Sequence, residues 1–146
     1  MYEYRCIIKR VVDGDTVDVD IDLGFHVVLK NQRVRLRGID TPESRTRDKV
    51  EKKFGIAAKK YLELMLGHGD ATLVTHKDGK GKFGRILGDF MVYDSKADAR
   101  RSVNTMMVEQ YFAVPYFGNS KEDIEALHLL NRVLLAEHWL EGIVVK

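Results

Sequence analysis

Cysteine is nearly absent: Cys6 is the only one in 146 residues. No disulfide can form within the chain, so a disulfide-stapled scaffold is excluded, and the lone thiol fits a reducing compartment. Proline is almost as scarce, with only Pro42 and Pro115. No repeat, low-complexity tract or Pro/Ser-rich linker divides the chain, and one domain over residues 1–146 is expected. No stretch approaches roughly 18 consecutive apolar residues, so no membrane span is expected and a membrane is not the anticipated partner. The opening Met1-Tyr2-Glu3-Tyr4-Arg5 carries an acid and no apolar run. The expectation is therefore no signal peptide, and a cytoplasmic or virus- or plasmid-encoded intracellular protein.

With 45% hydrophobic and 32% charged residues, the composition is globular, not disordered. Net charge is only +2, but it is unevenly spread. Lys30–Lys60 holds eleven Lys/Arg against four Asp/Glu, whereas Arg101–Lys146 holds four against six. A basic middle on a near-neutral chain points to a localised anionic partner.

The first third reads as strands. Arg5–Val12 is apolar and β-branched, and Asp13-Gly14-Asp15 has turn composition. Thr16–Asp22 alternates: Val17, Val19 and Ile21 take one face, Asp18, Asp20 and Asp22 a solvated one. Phe25–Gly38 resumes as strand. A stripe of Val50, Phe54, Ala57, Ala58, Tyr61, Leu62 and Met65 predicts a helix stopped by Gly67-His68-Gly69. Ala71–His76 and Arg85–Tyr93 read as strands joined by a Lys/Gly-rich turn over Lys77–Gly84. Ser102–Gln110 reads as a short helix capped by Ser102, and a long helix runs from about Lys121 to Leu140 behind Asn119/Ser120. Three strands, a helix, two strands and two helices suggest an α+β, β-rich fold: a five-stranded OB-type Greek-key barrel with about three helices.

Three islands at predicted strand ends hold the chemistry: Asp13-Gly14-Asp15-Thr16, Arg35 through Glu43, and Lys82-Phe83-Gly84-Arg85. Asp15, Asp40 and Glu43 offer hard oxygen ligands or a base, and Arg35 and Arg85 offer planar forks matched to phosphate oxygens. In-line attack on a phosphodiester needs that combination. Taken singly, each island also reads as an ordinary turn, strand residue or hairpin tip; their joint occurrence carries the argument.

Val12-Asp13-Gly14-Asp15-Thr16-Val17, Arg35 through the Asp40-Thr41-Pro42-Glu43 run, and Phe83-Gly84-Arg85 together resemble the staphylococcal nuclease (thermonuclease) family. Val103-Asn104 with Met107-Val108 resembles its next helix. The similarity covers about residues 5–117, and the terminal helix loosely. It implies an OB-type barrel and calcium-dependent hydrolysis of DNA or RNA, in single-stranded or frayed regions, leaving 3′-phosphate and 5′-hydroxyl ends. It implies that Asp15 and Asp40 bind Ca²⁺ by side chain and Thr41 by its carbonyl, with Asp13 nearby through water. Glu43 would orient or deprotonate the attacking water, Arg35 and Arg85 would clamp the scissile phosphate, and Lys82 would contact a neighbouring one. This chain has Phe83 where the type member has tyrosine, and Tyr116-Phe117 where the family has two spaced tyrosines; Tyr116 is the expected base-stacking platform. The alternative is a catalytically silent nucleic-acid-binding barrel.

Several look-alikes fall away. Asp18, Asp20 and Asp22 mimic an EF-hand start, but Leu23 and Leu29 stand where the loop needs Gly and Glu. Gly79 to Gly84 fits G-x-G-x-x-G but opens a strand, not a helix. The five histidines show no metal-ligand spacing and read as surface or core residues. In the last helix Leu135 and Trp139 fall opposite the main apolar arc, and the tail Gly142–Lys146 is apolar. Two readings account for them: intramolecular packing, with the tail folding back, or a homodimer or partner surface through this helix.

Overall fold

The computed structural model describes residues 2–67, 70–76 and 86–138. The expected Lys77–Gly84 turn, with Lys82, Phe83 and Arg85, lies outside the described residues, as do His68, Trp139 and the apolar tail.

Alternating β-branched residues build three long antiparallel strands: β1 (Tyr2–Asp13), β2 (Thr16–Gly24) and β3 (Val27–Leu36). After β4 (Ile39–Asp40) and helix α1 (Lys49–Leu66), the chain returns as β5 (Asp70–Thr75) and β6 (Ile86–Asp94). The order β3-β2-β1-β5-β6 closes through a short parallel seam, Val34↔Ile86, Arg35↔Leu87 and Leu36↔Gly88. The closed ring therefore has the five strands expected, and closure leaves no free edge at the seam. A further strand, β7 (Ala99–Ser102), lies on β6, and β4 pairs with β8 (Val114–Pro115) in a separate ribbon. Helices α2 (Val103–Glu109) and α3 (Lys121–His138) complete the α+β fold.

Val17, Val19, Ile21, Val34, Leu36, Leu73 and Phe90 fill the ring and are essentially inaccessible. The inner face of α1, with Ala57, Ala58 and Leu62, covers one end. Asp48 caps α1 by accepting from the backbone N–H groups of Val50 and Glu51, at 3.0 and 3.2 Å. Ser102 and Ser120 do the same for α2 and α3, accepting from Thr105 and Asp123. Asn104, buried in α2, donates to the carbonyls of Arg37 and Gly88 at 3.0 and 3.1 Å, tying the helix to the seam. Among the described residues no helix is long and apolar enough to cross a membrane.

Three expectations need correction. Phe25 does not begin a strand: Phe25 and His26 form the two-residue turn between β2 and β3, both at positive φ (53° and 64°). Left-handed pairs of this kind favour Asn and Gly, so composition alone hides the turn. Asp20 is not on a solvated face but 4% exposed. Between Gln32 and Leu29, β3 carries one residue more than β2 opposite it, a bulge that turns Asn31 to φ 54°. Asp20 fills that bulge, accepting the Asn31 N–H at 2.9 Å, with the ammonium groups of Lys9 and Lys30 at 3.7 and 3.5 Å. These contacts hold its carboxyl below the usual range, the Asn31 hydrogen bond foremost. Leu135, finally, is 2% exposed and packs into the core, so it is not part of a second outer face. The exposed large apolar residues of α3 are instead Leu129, Leu130 and Val133 among the described residues.

Candidate active site

The turn joining β1 to β2 is pressed into the molecule. A Cβ on Gly14 would lie 2.9 Å from both the Thr41 hydroxyl and the Ala58 methyl, so only glycine lets the turn reach Thr41 and α1 together. Asp15 follows, its carbonyl accepting from the Leu36 N–H at 2.9 Å. Its Oδ1 accepts from the Thr16 hydroxyl at 3.0 Å, and its Oδ2 from the Thr41 N–H at 3.2 Å. The first two islands are thus joined by a direct hydrogen bond across 26 residues of sequence.

Arg35, opposite Thr16 on β3, lies between the acids. One terminal nitrogen donates to the Leu36 carbonyl at 2.8 Å. The other is 3.5 Å from Asp15 Oδ2 and 3.6 Å from Asp40 Oδ1. Two carboxylates therefore meet on a single cationic nitrogen. Burial pushes the Asp15 carboxyl above its usual pKa, against the opposing pull of Arg35, and the charges of Asp40 and Asp13 push it further.

Asp40 is placed by the β4–β8 ribbon, opposite Val114. Thr41 is buried, and its hydroxyl has no hydrogen-bond partner among the described residues. Glu43 is exposed; its N–H donates to Glu51 Oε2 of α1 at 3.1 Å. Gly55 brings α1 so close that a Cβ there would fall 2.2 Å from the Glu43 carbonyl oxygen. Beside Asp40 opens a cleft of about 780 Å³, also lined by Tyr116, Lys121, His128 and Arg132. Tyr116 is 43% exposed, and its N–H donates to the Gly38 carbonyl at 2.8 Å. The structure thus gathers Asp13, Asp15, Arg35, Asp40 and Thr41, sets Tyr116 in the cleft that Asp40 lines, and leaves the Glu43 side chain facing solvent.

One residue of this neighbourhood escapes sequence reasoning. His128, on α3, lies with Nε2 2.7 Å from Asp40 Oδ2, so it is neither a plain core nor a plain surface histidine. The two are 88 residues apart; no local spacing announces the pair.

The donors here are oxygens, a set that suits a hard cation such as calcium and not thiolate-seeking metals. An acid held above its usual pKa partly by neighbouring acids is also a place where positive charge lowers the energy. Among the described residues, however, no three His, Cys, Asp or Glu side chains are arranged to enclose an ion. Two carboxylates would need carbonyl and water oxygens beside them, which calcium's loose six-to-eight coordination accepts.

Comparison with known proteins adds an independent finding. The family described as Staphylococcal nuclease homologue matches residues 33–137. The Asp13–Thr16 turn lies ahead of that segment. Endonuclease YhcR of Bacillus subtilis is 31% identical over 121 residues, covering 79% of this chain and 9% of its own length. Thermonuclease of Staphylococcus intermedius is 35% identical over 81 residues, 56% of this chain and 45% of its own. Protein ParB of Escherichia coli is 36% identical over 131 residues, 87% of this chain and 66% of its own. The matched region is thus a fraction of each of these relatives, from under a tenth to about two thirds.

Proposed function

Since the chain belongs to the staphylococcal nuclease homologues, we propose that it hydrolyses phosphodiester bonds of DNA or RNA with calcium as its metal, leaving 3′-phosphate and 5′-hydroxyl ends. The observation that carries this reading is the meeting of Asp15 and Asp40 on one nitrogen of Arg35. Asp15 and Asp40 would hold the cation, with the Thr41 carbonyl beside them and Asp13 reaching it through water. When bound, the ion supplies Lewis-acid polarisation and neutralises charge on the phosphoryl oxygens.

The remaining chemistry belongs to the chain. Glu43 would accept a proton from water as the water oxygen bonds to phosphorus. The bond from phosphorus to O5′ breaks, and O5′ leaves as a hydroxyl after taking a proton from solvent. Arg35 and Arg85 would donate to the non-bridging oxygens, where charge develops. Lys82 would neutralise an adjacent phosphate, the Phe83 ring would pack beside it, and Tyr116 would stack on a base. Stacking needs an unpaired base, which favours single-stranded or frayed substrate.

The test is a cleavage assay on single-stranded DNA and on RNA, with calcium and with chelator, followed by end-group analysis. Calcium is expected to switch cleavage on and chelation to abolish it, with 3′-phosphate products. Cleavage unaffected by chelation overturns the metal assignment. Salt-sensitive binding without cleavage favours the silent nucleic-acid-binding barrel.

A further inference from the structure

The tie between α3 and Asp40 has no part in the reading above. Asp40 divides its two oxygens: Oδ1 faces the guanidinium of Arg35 at 3.6 Å, and Oδ2 accepts from His128 Nε2 at 2.7 Å. The His128 side chain is 14% exposed, and its Nδ1 is buried with no partner among the described residues. A proton on Nδ1 would be a buried donor without an acceptor, so the tautomer protonated at Nε2 fits the site, donating to Asp40. The backbone under Asp40 is a two-residue strand paired only with β8; so short a ribbon fixes a main-chain position but not a carboxylate plane. Helix α3 is anchored independently. Leu135 is sunk in the core, Asn131 donates to the Ala113 carbonyl at 3.0 Å, and the Arg132 guanidinium sits 5.6 Å from the Phe54 ring centre.

We propose that His128 is a positioning residue: by holding Oδ2, it turns Asp40 so that Oδ1 alone is offered towards Asp15, and it makes α3 part of the cation site. This rests on the functional reading above, because its consequence is read as calcium affinity. A histidine behind a ligating carboxylate fixes which oxygen the ion meets, and loss of such an outer contact typically weakens metal binding about ten- to a hundredfold.

The experiment compares two isopolar variants of the full chain by calorimetric titration with calcium chloride. His128→Gln places an amide N–H near the Nε2 position; His128→Asn carries the same group but stops short of Asp40. Glutamine is expected to keep the parent affinity within about threefold and asparagine to lose ten- to a hundredfold, while the metal-free unfolding midpoints of the two variants agree. A merely structural role would lower both midpoints without separating the affinities. Parent and both variants binding calcium equally overturns the positioning role alone. No binding heat in the parent overturns the functional reading, and this role with it. Should the asparagine chain not fold, His128→Leu makes the same comparison without a buried amide.

Discussion

Asp15→Asn is expected to abolish the response to calcium, and cleavage with it, while leaving the metal-free fold at least as stable as the parent near neutral pH. Asparagine keeps the shape: its amide oxygen can accept from the Thr41 N–H, and its nitrogen faces the Thr16 hydroxyl, which can reverse its role. What it removes is charge. Asp15, its side chain 13% exposed, lies beside Asp40 and Asp13, and its carboxyl is raised above the ordinary 3.8. A folded state that holds a proton more tightly than the unfolded chain is favoured by acid. This contribution is fully present below the unfolded value, and it is lost as pH rises through the raised folded one. Above that raised folded value the metal-free parent carries an ionised, crowded acid, and the asparagine variant does not. The gap between their unfolding midpoints is expected to shrink as pH falls through that raised value. Calcium is expected to reverse the order, raising the parent's midpoint by binding only the folded state and leaving the variant's unmoved. Loss of the Lewis acid costs several kcal/mol of transition-state stabilisation, roughly a thousandfold in rate. Equal calcium-induced shifts in the two proteins would sink the assignment of Asp15.

Gly55→Ala is expected to invert a familiar sign. In a helix interior the change from glycine to alanine ordinarily stabilises by about 1 kcal/mol. Here the new methyl would sit 2.2 Å from the Glu43 carbonyl oxygen, 2.4 Å from its carbon and 2.6 Å from the Ser44 nitrogen. All three are backbone atoms, and no rotamer change can clear them. Either α1 or the Glu43–Ser44 segment must move, at about 3 kcal/mol or more, the upper end of the overpacking range. In a chain of this size that lowers the melting temperature by roughly 10 °C. The segment that yields also carries the proposed base, and a displacement near 1 Å costs on the order of a hundredfold in rate. Thermal melting and cleavage kinetics read the two effects separately. A variant that melts no lower than the parent and cleaves as fast would show that the loop does not depend on this contact.

Both residues bear on what the sequence made legible. The ring of strands, the three helices and the serine caps follow from local periodicity, because β-branched alternation and helical stripes are written within a few residues. The Asp15 and Arg35–Thr41 islands were legible as clusters of acids and cations because each is contiguous. What stayed hidden depends on two segments at once. Strict alternation put Asp20 in solvent, yet the extra residue that buries it belongs to the facing strand around Asn31. Leu135 lies opposite the apolar arc counted along the helix, yet the surface that receives it is set by how α3 docks. His128 meets Asp40 only after the whole chain has folded. The short strands β4, β7 and β8 carry too few residues to show a period.

The five-stranded ring zips shut through three residue pairs, and Arg35 occupies the middle one. The strand that carries its guanidinium between Asp15 and Asp40 is held on one side by β2 and on the other by that zip, so the narrowest joint of the ring and the proposed site share one location. Thermal breathing there should silence the protein several degrees before the rest of the molecule comes apart. Stitching that joint more firmly would raise the temperature at which it can still work.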